Sequence, residues 1–295
     1  MALPDDVRRA SAEIAAHARS MRIDLDALEA LDPGAPPALD AEAHYLEGAP
    51  EDVATYLLAL DAINFGSGWF PTLRKRRRPD GTPLSGYFTV AWALADRFRA
   101  DGPWSAAELR AMRTETIAAA LGQPPDHELM ALYAQALREL GTFLGERTAL
   151  DVVADAGGSA VRLAERLAGG LALFHDAGFF KRAQIAASDL ELGGVAAFGD
   201  LDRLTIFADN LVPHVLRCDG VLVYDARLAA HIDAGRLLRP GPQEREIRGC
   251  AVRACELIAR RTGMTERDVD NALWTRGQDP RYKALPRHRC RTVYY

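Results

Sequence analysis

The residue in this chain best suited to chemistry is an acid set in an apolar run. Between Phe198 and Leu216, the residues Leu201, Leu204, Ala208, Leu211 and Val215 recur at helical spacing, which predicts a helix with Asp200 as its N-cap. Asp209 shares the adjacent line with Val212 and Leu216, next to or within the apolar face. A carboxylate in such surroundings is desolvated unless it finds a partner. Pro213 has no N–H to give the carbonyl of Asp209, so the helix is expected to kink or end around that turn. A broken helix beside a buried acid suits a reaction site. It equally suits an ion pair or a helix-end cap, and the segment alone leaves these open.

A second group lies in Phe179-Phe180-Lys181-Arg182-Ala183-Gln184-Ile185, where two cations follow two aromatics and precede an apolar helix. Such a pair can hold a phosphate or a carboxylate, although spacing alone favours solvated surface charge. The stretch from Leu273 to Tyr295 carries aromatic anchors and cations where chain ends are usually polar and frayed, so it is expected to fold back into the body. The basic cluster Arg74 to Arg78 runs into Pro79-Asp80-Gly81-Thr82-Pro83 and reads as a solvated loop, with a phosphate or RNA contact as the other option.

Several chemistries lack their residues. The histidines His17, His44, His127, His175, His214, His231 and His288 form neither H-x-x-x-H nor H-E-x-x-H, and we expect no catalytic metal and no cofactor. There is no G-x-S-x-G, Walker A or G-x-G-x-x-G motif, and Gly66-Ser67-Gly68 is too short for a phosphate cradle. Cys218, Cys250, Cys255 and Cys290 contain no C-x-x-C pair, which fits a reducing cytoplasm; Cys250 and Cys255 read as small buried hydrophobes. The net charge of −5 supplies no global field for a nucleic-acid backbone. The acidic N-terminus and the absence of a long apolar run point away from export and from a membrane.

The elements that must position these groups are mostly helical. Residues 5–31 have amphipathic periodicity, stopped by Asp32-Pro33-Gly34-Ala35-Pro36-Pro37, and residues 1–40 are expected to form an N-terminal helical segment ahead of a domain spanning 41–295. Val53, Tyr56, Leu57, Leu60 and Ile63 predict a buried helix leading into the Asn64–Gly68 turn. Further helices are expected at about 91–100, 105–121, 126–144, 157–173 and 244–261. Asp80-Gly81 followed by Tyr87-Phe88-Thr89-Val90 predicts a short β-hairpin over 81–89. With no alternating βα pattern, the fold class is all-α or mostly α with a small β element.

Six blocks then carry a resemblance. Asp61-Ala62-Ile63-Asn64-Phe65, Ser85-Gly86-Tyr87, Lys181 to Ile185, Leu204 to Asp209, Glu246-Ile247-Arg248-Gly249-Cys250 and His288 to Tyr295 resemble, in order, the queuosine salvage protein family. This chain has Asn210-Leu211 where the family pattern usually has Tyr-Arg, and Gly-Ser-Gly-Trp-Phe after Phe65 in place of a compact aromatic pair. The resemblance implies a mostly α fold similar to helix-hairpin-helix DNA glycosylases, possessing one domain or two helical lobes with the site between them. It implies hydrolysis of the N-glycosidic bond of queuosine 5′-monophosphate, a small-molecule partner, without metal or stably bound nucleic acid.

That reaction builds positive charge on the ribose, so a carboxylate must stabilise it, attack C1′ or activate water, and Asp209 is the expected group. The leaving base is a 7-deazapurine without the N7 protonation site of purines, which increases the demand on that acid. Lys181 is the leading cation for the 5′-phosphate, with Lys283 and Arg287 behind it. Asp270 is the acid expected to meet the cationic secondary amine on the base, Phe65, Phe207 and Trp274 the stacking walls, and His44 a polar contact. Two other readings use the same residues: a base-excision glycosylase acting on nucleic acid, and a non-catalytic helical scaffold whose acids are structural.

Overall fold

The N-terminal periodic stretch folds as helix α1 (Leu3–His17), then strand β1 (Met21–Ile23) and the short helix α2 (Leu25–Ala30), whose N-cap Asp24 accepts from the N–H of Ala27 at 3.1 Å. In the computed structural model, which describes residues 2–78 and 80–295, an irregular stretch then leads to α3 (Pro50–Ala62). Every residue from Val53 to Ala62 is buried, as befits a helix apolar on all sides and packed in the core. Beyond the 66–78 loop come α4 (Gly86–Asp101), α5 (Ala106–Arg110), α6 (Thr114–Ala120), α7 (Glu128–Leu144), α8 (Ala149–Ala154) and α9 (Ala160–Gly170), of which α4, α7 and α8 pack on α3 while α5 and α6 pack on α7. The second half contains α10 (Lys181–Leu192), α11 (Val212–Cys218), β2 (Leu222–Tyr224), α12 (Ala226–Asp233), α13 (Pro242–Thr262), α14 (Glu266–Arg276) and α15 (Pro280–Lys283).

Helix α1 lies along α13, and β1 pairs antiparallel with β2 in the register Met21↔Tyr224, Arg22↔Val223 and Ile23↔Leu222. Residues 3–31 are therefore built into the C-terminal half. Helix α3 packs on α7, α8 and α10, and α14 packs on α11 and α13, all around one continuous apolar cluster. Cys250 and Cys255 are buried in it as the small hydrophobes expected.

The β element is real but lies elsewhere than expected. Tyr87, Phe88, Thr89 and Val90 belong to helix α4, whose N-cap Ser85 accepts from the N–H of Phe88 at 3.2 Å. The turn signal is used slightly earlier: Arg77 and Pro83 form an isolated antiparallel bridge, and Asp80 accepts from the N–H of Thr82 at 2.9 Å. Local β propensity lost because Val90, Ala91, Leu94, Ala95 and Phe98 share a helical face that the core buries.

The C-terminal run folds back as expected. The N–H groups of Gly66 and Ser67 donate to the carbonyl of Tyr295 at 3.0 and 3.4 Å. Gly66 has φ +118°, a conformation open to glycine, and a Cβ on Gly68 would stand 2.5 Å from the carbonyl oxygen of Cys290. The glycines of Gly66-Ser67-Gly68 thus allow two backbones to meet.

Candidate active site

A cavity of about 300 Å³ opens where α3, α4, α10, α14, the 204–211 segment and the C-terminal run converge. It is within the size range of small-ligand sites. His44, Phe65, Lys181, Phe207, Asp209, Asp270, Trp274 and Arg287 all line it, although they are spread over more than two hundred residues of sequence. Lys283 is the exception: it is exposed on α15 and does not line the cavity.

Asp209 is not on a helix, contrary to the periodicity. Leu201–Arg203 is a single 3-10 turn, residues 204–211 are irregular, and α11 begins only at Val212. The backbone groups that a helix would pair are taken by buried side chains. Gln184 accepts from the N–H of Thr205 at 2.9 Å, Asp270 accepts from the N–H of Phe207 at 3.0 Å, and Arg248 Nε donates to the carbonyl of Ala208 at 2.8 Å. Once those groups are satisfied, an irregular backbone can be buried without penalty. Asp200 does not cap this segment either; it accepts from Ser159 Oγ and the N–H of Ala160, both at 2.6 Å, at the start of α9. Pro213 sits in the first turn of α11, where its missing N–H costs nothing, so it starts a helix and does not kink one.

The Asp209 side chain bends over the start of α11. Its Oδ1 accepts from the N–H groups of Leu211 and Val212 at 2.7 and 3.1 Å, while Oδ2 has no protein hydrogen-bond partner among the described residues. Asp209 is half-buried and lines the cavity. One oxygen therefore fixes the carboxylate and the other remains available.

Behind this acid, Arg248 is 1% exposed and forms a forked pair with Asp176, with Nη1 to Oδ1 at 3.1 Å and Nη2 to Oδ2. Its guanidinium also stacks between Phe179 and Tyr295, at 4.1 and 4.8 Å from the ring centroids. A buried Arg with both its fork and its Nε engaged is a rigid mount. It ties the residue before Asp209 to α13 and to the C-terminal run.

Lys181 and Arg182 are buried, not solvated. Lys181 Nζ donates to the carbonyl of Asn64 at 2.9 Å, and Arg182 Nη1 donates to the carbonyl of Ala62 at 2.5 Å, so both cations hold the C-terminal end of α3. This is the end at which helix carbonyls lack partners and the dipole favours positive charge. Phe180, just before Lys181, has φ +50°, a left-handed conformation that costs a non-glycine residue on the order of 1–3 kcal/mol. That strain is held at the junction that aims Lys181. Burial pulls the Lys181 ammonium down to about 8, against the opposing pull of Asp209 and Asp61.

The cavity is acidic around this lysine. Burial pushes Asp61, fully enclosed next to the cavity-lining Asn64, up to about 7; its Oδ1 accepts from Asn64 Nδ2 at 3.3 Å and its Oδ2 has no partner among the described residues. Burial, with Asp209 nearby, holds Asp270 well above the usual carboxylate range. Asp189, which the sequence reading passed over, lines the same cavity and is also held well above that range by burial and by Asp61. Its sequence signal is the helical line Lys181, Ile185, Asp189 and Leu192, all four of which face the cavity.

The opposite wall is aromatic. Trp274 meets Tyr87 edge-on at 5.3 Å and Phe88 at 5.7 Å between centroids. His44 is clamped by Asp40 and Tyr87: Nδ1 is 2.7 Å from the Asp40 carbonyl and Nε2 is 2.8 Å from the Tyr87 hydroxyl. Burial lowers its pKa, so the neutral ring donates from Nδ1 and accepts at Nε2. Phe65 is held edge-on to Tyr133 at 5.1 Å, with Arg182 over its ring at 4.7 Å.

At one edge of the cavity stands a cation without a contact partner among the described residues, though Asp209 favours its charge. Arg287 makes no hydrogen bond or ion pair among the described residues, and Ser67 Oγ, buried nearby in the lining, also has no partner. Burial pulls the Arg287 pKa down, with Asp209 opposing and Arg289 adding to the fall, and Lys75 is drawn down to about 8 by burial and by Arg287. The geometry thus offers an apolar slot for a flat ring, a half-free carboxylate and an anion-seeking edge. Among the described residues no group of three or more His, Cys, Asp or Glu side chains could hold a metal ion.

Comparison with known proteins finds relatives along most of the chain. The family model described as queuosine salvage protein matches residues 43–295. A Sphaerobacter thermophilus protein named queuosine 5′-phosphate N-glycosylase/hydrolase is 35% identical over 285 residues, covering 88% of this chain and 86% of the relative. A Mus musculus protein of the same name is 29% identical over 290 residues, covering 84% of this chain and 83% of the relative.

Proposed function

The chain belongs to the queuosine salvage protein family, and from that membership and the cavity we propose that it hydrolyses the N-glycosidic bond of queuosine 5′-monophosphate, releasing queuine. The observation that carries the assignment of roles is Asp209 itself, a carboxylate with one oxygen fixed by two backbone N–H groups and the other unpartnered in an aromatic-walled cavity. As the C1′–N bond lengthens, positive charge grows on the ribose, and a fixed carboxylate stabilises it without reorganising. The same oxygen can orient the water that adds to C1′ while the base leaves with the bonding electron pair and is protonated. Lys181 acts beside it, adding a positive charge near Asp209 and pinning the end of α3.

For the phosphate, Arg287 is favoured over Lys181. Lys181 Nζ is committed to the Asn64 carbonyl and faces Asp61 and Asp209, whereas Arg287 feels the field of Asp209 but makes no hydrogen bond or ion pair among the described residues. The deazapurine stacks against Trp274 and Phe207, with Phe65 forming the floor and His44 holding Tyr87 in place. The net charge of −5 supplies no global positive field for a polyanion, which supports a mononucleotide substrate over a nucleic acid. Four free cysteines support a reducing, cytoplasmic setting, and no described helix is long and apolar enough to cross a membrane.

The test is incubation of the purified protein with queuosine 5′-monophosphate, following free queuine and ribose 5-phosphate by mass spectrometry. Formation of both in equal amounts is expected. Absence of turnover across neutral pH refutes the assignment.

A further inference from the structure

Asp189 is a nearly buried carboxylate with no protein group to bind. It is 6% exposed, its side chain makes no hydrogen bond or ion pair among the described residues, and it lines the cavity. Lys181 lies on the same face of α10, and eight residues of helix separate the two by roughly 12 Å along the axis. The surroundings are unfavourable for an unpaired acid: Asp61 and Asp270 oppose its ionisation, and Lys181 and Arg267 offset them only in part. A buried charge left unpaired costs stability, and a cation delivered by a ligand removes that cost.

We propose that Asp189 binds the secondary ammonium on the side arm of the base and thereby makes the enzyme prefer 7-deazaguanine nucleotides that carry a cationic arm. The proposal rests on the function inferred above. Asp270 was the acid expected there from the sequence, but its Oδ1 is committed to the N–H of Phe207 at 3.0 Å, in the segment that carries Asp209. A substrate cation at Asp270 would also weaken the field that Asp209 must exert on the sugar. Asp40, the other acid in the lining, spends Oδ1 on the N–H groups of Glu42 and Ala43 at 3.0 and 3.4 Å. Among the described acids of the lining, Asp189 alone combines burial, a carboxylate with both oxygens unbonded and access to the cavity.

The test compares the 5′-monophosphates of 7-aminomethyl-7-deazaguanosine and 7-cyano-7-deazaguanosine, whose arms are small and respectively cationic and neutral, with queuosine 5′-monophosphate as the control. The wild-type enzyme is expected to favour the aminomethyl substrate in kcat/KM by roughly 10- to 100-fold, the range of a charge-assisted hydrogen bond. Asp189→Asn is expected to abolish that ratio, whereas Asp270→Asn lowers both rates and preserves it. Equal wild-type rates on the two substrates, a ratio unchanged in Asp189→Asn, or a ratio lost only in Asp270→Asn overturns the proposal. If the wild type fails on the queuosine control, the inferred function falls instead. Calorimetric binding of the two free bases then still decides Asp189: tighter binding of the aminomethyl base by wild type, lost in Asp189→Asn, supports it, and equal binding refutes it.

Discussion

Arg248→Met removes the mount behind Asp209 and should damage both stability and turnover, for separable reasons. The guanidinium is 1% exposed, pairs with Asp176, which is 3% exposed, and donates to the Ala208 carbonyl at 2.8 Å. Deleting one member of a buried ion pair leaves the other charge uncompensated, at a cost of about 3–5 kcal/mol. For a chain of this size that lowers the unfolding midpoint by roughly 5–15 °C in scanning calorimetry. Replacing both partners, Arg248→Met with Asp176→Leu, removes the Asp176 charge and should restore part of the stability, the rest staying lost because buried Glu244, 3.5 Å from Arg248, keeps no partner on that side. Turnover should not return with it, because the Ala208 carbonyl stays unanchored and a displacement of about 1 Å at Asp209 is enough to cost on the order of 100-fold. A single variant that melts within a degree or two of wild type, or a double variant that recovers stability and full turnover together, refutes the positioning role.

Arg287→Ala should raise KM for queuosine 5′-monophosphate by roughly 10- to 100-fold and leave the unphosphorylated nucleoside little affected, which steady-state kinetics on the pair will read. Trp274→Ala should weaken binding of free queuine by about 1–3 kcal/mol in calorimetry, the worth of one stacked base. Asp61 contributes a pH-dependent stability of definite sign. Its carboxyl is raised from 3.8 to about 7, so the native state binds the proton more tightly than the unfolded chain, and the favourable contribution is lost as pH rises from about 4 to 7. Asp61→Asn should flatten that slope in a series of thermal melts. Lys181, lowered to about 8, should lose its proton above that pH and set an alkaline limb in kcat/KM that Lys181→Met removes along with most of the activity.

Where local periodicity and burial agree, the sequence was a sound guide. The apolar line through Val53, Leu57 and Leu60 became α3, and the stripe Ile247, Ala251, Ala254 and Ile258 became part of α13. Of the site residues named from the sequence, Lys283 is the one left on the surface. The failures share a cause. Leu201, Leu204, Ala208, Leu211 and Val215 look helical, yet residues 204–211 are irregular because Gln184, Arg248 and Asp270 satisfy their backbone. Those partners lie 21, 40 and 63 residues away, beyond the reach of any local pattern. Tyr87 to Val90 were misassigned as a strand because tertiary burial overrode β propensity. Asp189 was missed because a lone acid in a helix looks like part of its wet face; only the cavity shows that it is enclosed.

The most direct measurement is the single-turnover rate of Asp209→Asn against wild type on saturating queuosine 5′-monophosphate, with circular dichroism establishing that the variant is folded. The isosteric amide can preserve the bonds to Leu211 and Val212 while removing the charge. A loss on the order of 10²- to 10⁴-fold in the chemical step, with queuine binding retained, is expected if the carboxylate faces the developing cation. A folded variant that releases queuine at the wild-type rate contradicts it.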